Sequence, residues 1–202
     1  MIPDMPPDNR KTVIDLDDLE FEFTLKSHSV VSLEPFVTLF SGHVQGWDEN
    51  AGEDRVLGNI SGSRINLKSA RVRNQDQHRI LEQLSAEIAD FSATIVGNET
   101  IRLTLHDGVQ CIRDGSCNYL IYIAEISIEP EFRCMGLGST LLSKIPVMMD
   151  VNNSMVALKA FPLQFKYGSS SSADEIKRVK RFYEKQGFEY VGGDYMVKIF
   201  DQ

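Results

Sequence analysis

The sequence predicts an α/β fold with a mixed sheet and a single core, on three observations. Apolar and polar residues alternate in stretches from Leu19 to Leu67, the period of half-buried strands. Between Asp76 and Phe91 apolar residues recur at helical spacing. The last third reads strand, helix, strand, helix, hairpin, and a strand–helix–strand succession of that length implies a parallel pair with a right-handed crossover.

Met1 to Asp18 holds three prolines and many acidic residues but no apolar run, so it reads as a flexible leader and not as a secretory signal or membrane span. Strands are expected at Leu19 to Phe23, Val37 to Val44 and Arg55 to Leu67, split by Gly42, Gly46 and Gly52, with an acidic, exposed loop from Trp47 to Asp54. Gly58 and Gly62 inside the third run weaken it or mark a bulge or a close backbone approach. One amphipathic helix is expected from Asp76, with Ile80, Leu81, Leu84, Ile88 and Phe91 as its buried stripe and Gly97-Asn98 as its end.

A short strand at Thr100 to Leu105 and turns at Asp107-Gly108 and Asp114-Gly115 follow. Asn118 to Ile128 is apolar at most positions, as in a central strand covered on both faces. Beyond it come a helix at Gly136 to Ile145, a strand at Met155 to Phe161 and a helix at Asp174 to Gln186. A hairpin of Phe188 to Val191 with Tyr195 to Phe200 closes the chain around Gly192-Gly193-Asp194. Ser169 to Ser172 reads as a flexible loop.

The formal net charge of −8 disfavours a nucleic-acid partner, which demands clustered Lys and Arg. Lys177, Arg178, Lys180 and Arg181 do gather, but among Glu175 and Glu184 on what reads as a solvated helix face. Cys111, Cys117 and Cys134 cannot all pair and match no zinc or redox spacing, which fits a reducing compartment and a cytoplasmic protein with no membrane partner. His28, His43, His78 and His106 show no ligand spacing, so no metal is expected. Met148, Met149 and Met155 read as core filling.

The segment that carries chemistry runs from Ile126 to Leu142. Pro130 ends the strand because it cannot donate a ladder hydrogen bond. From Arg133 to Gly138 the chain turns into a helix, whose first N–H groups lack intrahelical partners and face a dipole that favours an anion. Gly136 and Gly138 lack Cβ, so a phosphate can approach the main chain. An ordinary turn into a helix explains two glycines as well. A dinucleotide loop is excluded by Leu141 where a third glycine is needed and by Phe161 where the next strand should end in an acid; no Gly-Lys-Ser/Thr exists for a nucleoside-triphosphate loop.

The run Ile-Glu-Pro-Glu-Phe-Arg-Cys-Met-Gly-Leu-Gly, followed by helix, strand and then Phe182-Tyr183-Glu184-Lys185-Gln186-Gly187-Phe188, resembles the GNAT superfamily of acyl-CoA N-acyltransferases. Arg133, Gly136 and Gly138 match its Arg/Gln-x-x-Gly-x-Gly/Ala signature, and Tyr183, Gly187 and Phe188 match its Tyr four residues before a Gly-Phe pair. The match covers about Thr100 to Phe200. The resemblance implies an N-acetyltransferase-like domain over 19–202, a mostly antiparallel sheet with a splayed central parallel pair flanked by helices, and acetyl-CoA as acyl donor. It implies that the pantetheine arm lies on the strand Glu125 to Ile128, touching Ile126, Ser127 and Ile128. The diphosphate would then meet Arg133, Cys134, Met135, Gly136, Leu137, Gly138 and Ser139. Two departures stand out: Pro146, where the helix is expected to be shortened or kinked, and Phe161-Pro162-Leu163, where many members carry an Asn.

An amine of pKa about 10.4 is mostly protonated at neutral pH, a deficit of roughly 4.6 kcal/mol, so some group should take its proton. Glu125 is the candidate general base; a structural ion-pair partner is the other reading. Coenzyme A leaves as a thiolate of pKa about 8.5, and Tyr183 is the candidate acid, unless it is a core tyrosine alone. Cys134 has no histidine near it in sequence and reads as an ordinary residue. The expected activity is transfer of an acetyl or short acyl group to a primary amine, on a small molecule or protein, by direct attack in a ternary complex. A catalytically silent acyl-CoA-binding module is the alternative. The long loop from Gln164 to Ala173 is placed to cover the acceptor site or to move freely, and the Asp76 to Phe91 helix to cover the sheet or form a homodimer contact.

Overall fold

The computed structural model describes residues 18–97, 117–162 and 173–200. Strands β1 (Glu20–Ser27), β2 (Val37–Asp48) and β3 (Glu53–Asn66) lead into helices α1 (Leu67–Val72), α2 (Gln77–Glu82) and α3 (Ala86–Gly97). Then come β4 (Tyr119–Ile128), a short 3-10 turn (Pro130–Phe132), α4 (Leu137–Met148), β5 (Ser154–Lys159), α5 (Ala173–Lys185), β6 (Glu189–Gly192) and β7 (Tyr195–Phe200). The strands form one sheet in the order β1-β2-β3-β4-β5-β7-β6, and every pair is antiparallel except β4–β5. This is the expected mixed, mostly antiparallel sheet with a central parallel pair and flanking helices.

In place of the single core expected, strand alternation divides the apolar residues between two, one on each face of the sheet. Leu120, Tyr122, Met155, Ala157 and Val197 pack with Leu67 of α1, Leu81 of α2 and Phe91 of α3. Their neighbours Ile121, Ile123, Val156, Leu158 and Met196 pack with Leu137, Leu141 and Ile145 of α4, and with Phe182 and Tyr183 of α5. Two buried phenols tie α3 down: Tyr122 donates to Glu87 Oε1 at 2.6 Å, and Tyr195 donates to Asp90 Oδ2 at 2.7 Å.

Four further expectations need correction. The helix expected from Asp76 is two helices, because Ser85 breaks it: its hydroxyl accepts from Ile88 N–H at 3.1 Å and starts α3. The apolar stripe survives the break, and α3 is described as far as Gly97; Asn98 lies outside the described residues. The strand expected to reach Leu67 ends at Asn66, whose side chain accepts from Ser69 N–H at 2.8 Å and caps α1. The turn between β2 and β3 is shorter than Trp47 to Asp54, and Asp48 is buried in it, accepting from Asn50 and Ala51 N–H at 2.9 and 3.2 Å. Helix α4 is not shortened at Pro146 but runs to Met148; a proline this close to the end removes a single helical bond, the one its N–H would donate to the Leu142 carbonyl. The Thr100 to Leu105 strand, the Asp107-Gly108 and Asp114-Gly115 turns, the leader up to residue 17 and the loop from Gln164 to residue 172 lie outside the described residues.

The feature that positions the site is a parting of β4 and β5. They pair from Tyr119 and Ser154 to Ile123 and Leu158, then separate. Each stays bonded to its outer neighbour. β4 follows β3 as far as Ile128 opposite Gly58, and Glu129 N–H reaches Leu57 O at 3.0 Å. β5 follows β7 through Lys159 opposite Tyr195, and Ala160 N–H reaches Asp194 O at 2.7 Å. A bulge at Ala124, which falls between the Ser61–Glu125 and Gly62–Ile123 pairs, bends β4 at the point of separation. The bulge also reverses the strand's facing, so that Ile126 and Ile128 join Ile121 and Ile123 on the α4 side while Glu125 and Ser127 face the other way.

The close approach anticipated at Gly58 and Gly62 is present. A Cβ at Gly62 would lie 2.1 Å from the Tyr122 carbonyl oxygen, and one at Gly58 would lie 2.8 Å from that of Ser127. Gly62→Ala therefore displaces β4 next to its bulge, with an expected loss of more than ~3 kcal/mol in urea unfolding. Gly52→Ala, where φ is +69° but the space is open, should cost only about 1 kcal/mol.

Candidate functional site

Where β4 and β5 part, a cleft of about 620 Å³ opens, of the size that takes a small organic ligand. Glu125, Ile126, Ser127 and Ile128 of β4 line it, as do Arg133, Cys134, Gly136, Leu137, Gly138 and Ser139 of the following turn and helix, and Tyr183 of α5. Met135 is exposed and does not line it.

Two sets of main-chain groups face this space. Along β4, Glu129 N–H points to β3, so by the alternation of an antiparallel ladder the peptide groups of Ser127 also point to β3 while those of Ile126 and Ile128 point to the opening. At the start of α4, the first amide with an acceptor is Thr140, bonded to Gly136 O at 3.0 Å; among the described residues the amides from Cys134 to Ser139 have none. The N-cap is Gly136, which offers no side-chain oxygen. The amides of the turn lie at the positive end of the helix dipole, where an anion is favoured.

The residues around that turn have separable reasons. Gly136 takes φ +86°, which favours glycine, although the space a Cβ would fill is open. At Gly138 a Cβ would stand 3.2 Å from Phe182 Cζ, so the missing side chain lets α5 close over the start of α4. Arg133 braces the turn: its amide donates to Pro130 O at 3.4 Å and its Nε to Ile128 O at 3.1 Å, which holds the end of β4 against the loop. Gln186 donates to Ser139 Oγ at 3.1 Å and adds a second tie between α5 and α4.

Tyr183 and Glu125 stand on opposite sides of the opening. The Tyr183 ring packs edge-on against Phe182 and Phe188, with centroids 5.0 and 5.7 Å away, on the α4 side. Burial pushes its phenol up to about 12, which keeps the proton on the oxygen at neutral pH. Glu125 is exposed, opposite Ser61, on the face turned away from α4.

Sequence reasoning passed over Arg178. Helix α5 presents Glu175, Arg178, Val179, Phe182 and Tyr183 to the cleft, a three-and-four spacing that groups them on one side of a helix. Lys177, Arg178 and Arg181 are exposed, as a solvated face requires, yet Arg178 also lines the cleft, which its helical spacing from Tyr183 signals. Lys180 is not simply solvated either; its ammonium pairs with Asp194 at 2.8 Å and lies 4.6 Å from the centre of the Tyr190 ring. Cys134 is exposed with φ +65°, and Cys117 is buried. No helix among the described residues is long and apolar enough to cross a membrane.

No family model matches the chain, and no curated protein matches it. Among solved structures, a polyamine N-acetyltransferase of Drosophila melanogaster that catalyses formation of N-acetylagmatine is similar over 79% of this chain and 74% of its own, at 9% identity and a TM-score of 0.37. That likeness is too slight to carry a comparison of residues.

The phenols of Tyr122, Tyr183 and Tyr195 are all raised, first of all by burial; for Tyr122 and Tyr195 the carboxylates they bond add to the effect. Their contribution to stability is complete below the ordinary phenol value of about 10 and is lost as pH rises above it, because the unfolded chain gives up those protons first. An alkaline titration followed by tyrosinate absorbance should therefore show these phenols ionising only together with loss of structure. Their early ionisation in a folded chain would contradict the packing.

Proposed function

We propose that this chain transfers an acetyl or other short acyl group from acyl-coenzyme A to an amine by direct attack in a ternary complex. The observation that carries the proposal is the parting of β4 and β5 directly upstream of a turn whose amides, from Cys134 to Ser139, have no acceptor among the described residues. A thioester with a long amide-bearing arm and a diphosphate fits both features. The arm's amides can continue the ladder at Ile126 and Ile128, which β5 leaves open, and the diphosphate can take the unpaired N–H groups. Arg178 stands at the same cleft to meet the remaining negative charge. The resemblance to the GNAT superfamily at Arg133, Gly136, Gly138, Tyr183, Gly187 and Phe188 supports the same reading.

With the donor on the α4 side, the amine comes from the opposite face, where Glu125 stands. Glu125 takes the ammonium proton directly or through water, and the neutral nitrogen attacks the thioester carbonyl. The tetrahedral intermediate collapses with cleavage of the C–S bond, the sulfur leaves as a thiolate, and the nitrogen sheds its second proton to solvent as the amide forms. Burial pushes the Tyr183 phenol up to about 12, so it holds its proton more firmly than a thiol of pKa about 8.5 does. Tyr183 instead lends the leaving sulfur a hydrogen bond while keeping its proton, which still lowers the barrier of this step.

Free-thiol release from acetyl-CoA in the presence of a panel of primary amines tests the reading. Turnover is expected, and acetyl-CoA binding without turnover on any amine would favour a silent acyl-CoA module. Tyr183→Phe should lower kcat by about a hundredfold and leave acetyl-CoA affinity within about twofold. Glu125→Gln should lower the rate most where the amine is protonated, so its deficit should shrink as pH rises toward the amine's own pKa. A deficit independent of pH would remove Glu125 as the base.

A further inference from the structure

Helices α1 to α3 cover only one end of their face of the sheet. At that end Val37 and Ile65 are buried. Beyond it, Ser41 and Asn59 on the same face of β1 to β4 are exposed, and among the described residues the floor there is polar: Ser41 opposite Ser61, and Asn59 opposite His43. Glu125 stands at the inner edge of this floor, next to the cleft. Three further carboxylates share the face. Glu22 lies 3.6 Å from His43, Glu20 accepts from Gln45 at 3.0 Å, and Asp54 stands opposite Trp47. At the far end Trp47 and Val56 are 48% and 42% exposed, an unusual apolar corner on a polar surface.

We propose that this open face docks an extended, basic segment of another protein, and that the segment carries the acceptor amine; the inference rests on the acyl-transfer reading above and names the substrate class for that site. Six ladder steps separate Ser41, level with Glu125, from Trp47, a distance of ~20 Å that an extended chain covers in roughly six residues. A segment with its amine at Glu125 therefore sets another residue on Trp47 and Val56. The carboxylates between select for lysine and arginine, and an aromatic beside an aliphatic side chain is a usual anchor for a partner's apolar or cationic group.

Trp47 is the single tryptophan of the chain, so its emission reports on this face without any need for turnover. The full chain is titrated, with and without acetyl-CoA, with a Lys/Arg-rich peptide bearing one apolar residue, with an acidic peptide of equal length and with ethylenediamine. The basic peptide should shift Trp47 emission to the blue with an affinity that falls as salt rises, and the other two should not. The Glu20→Gln, Glu22→Gln double variant should weaken that binding about threefold to tenfold and raise the KM for peptide acetylation by the same factor, with kcat and the KM for acetyl-CoA unchanged. An emission spectrum indifferent to the basic peptide overturns the inference, as does equal binding of the acidic one. Acetylation of ethylenediamine with kcat/KM at or above that of every basic peptide sinks the inference alone. Failure to bind acetyl-CoA at all sinks the transferase reading and the inference with it.

Discussion

Two parallel strands at the centre of a sheet are pulled apart because each keeps its other partner. β4 remains in register with β3 to its last residue, and β5 remains in register with β7, so their shared ladder cannot continue past Ile123 and Leu158. An unmade ladder in a protein interior leaves polar groups without partners, which is costly unless water or a ligand meets them. The bulge at Ala124 and the glycines at 58 and 62 make the bend sterically possible, and Arg133 braces the strand's far end through the Ile128 carbonyl. The cleft, its backbone donors and the two-sided approach to it all follow from that competition among neighbouring ladders.

The bulge has a chemical consequence as well as a mechanical one. Without it, Glu125 would fall on the α4 side with Ile121 and Ile123; with it, Ile126 and Ile128 take that side and the carboxylate turns to the other face. The cleft is then lined from both faces of the sheet. Tyr183 is held by Phe182 and Phe188 on the α4 side, and burial pushes its phenol up.

Much of this was legible in the sequence. The strand ends at Pro130, the helix follows the two glycines, and the residues from Ile126 to Ser139 other than Met135, Pro130 and the acidic pair beside it do gather with Tyr183 at one cleft. Period-two alternation found β1 to β3 because their outer face is polar, and an unbroken apolar run found β4 because it is covered twice. What escaped was set by contacts that a linear pattern does not encode. Ser85 inside a good apolar stripe starts a new helix, since a hydroxyl can cap locally without disturbing the periodicity around it. The bulge at Ala124 leaves no mark in composition, so the facing of Glu125 was beyond sequence reasoning, and Arg178 was discounted for its charged neighbours although its spacing from Tyr183 put both on one side of α5.

Backbone amide exchange resolved by residue probes the central constraint most directly, because it reads whether the open ladder and the turn after it have partners. In the free chain, the amides of Ile126, Ile128 and Cys134 to Ser139 should exchange far faster than those of Ile121 and Ile123, and acetyl-CoA should protect the first group and leave the second as it was. Strong protection of the first group without a ligand, or no change on adding acetyl-CoA, would contradict the account.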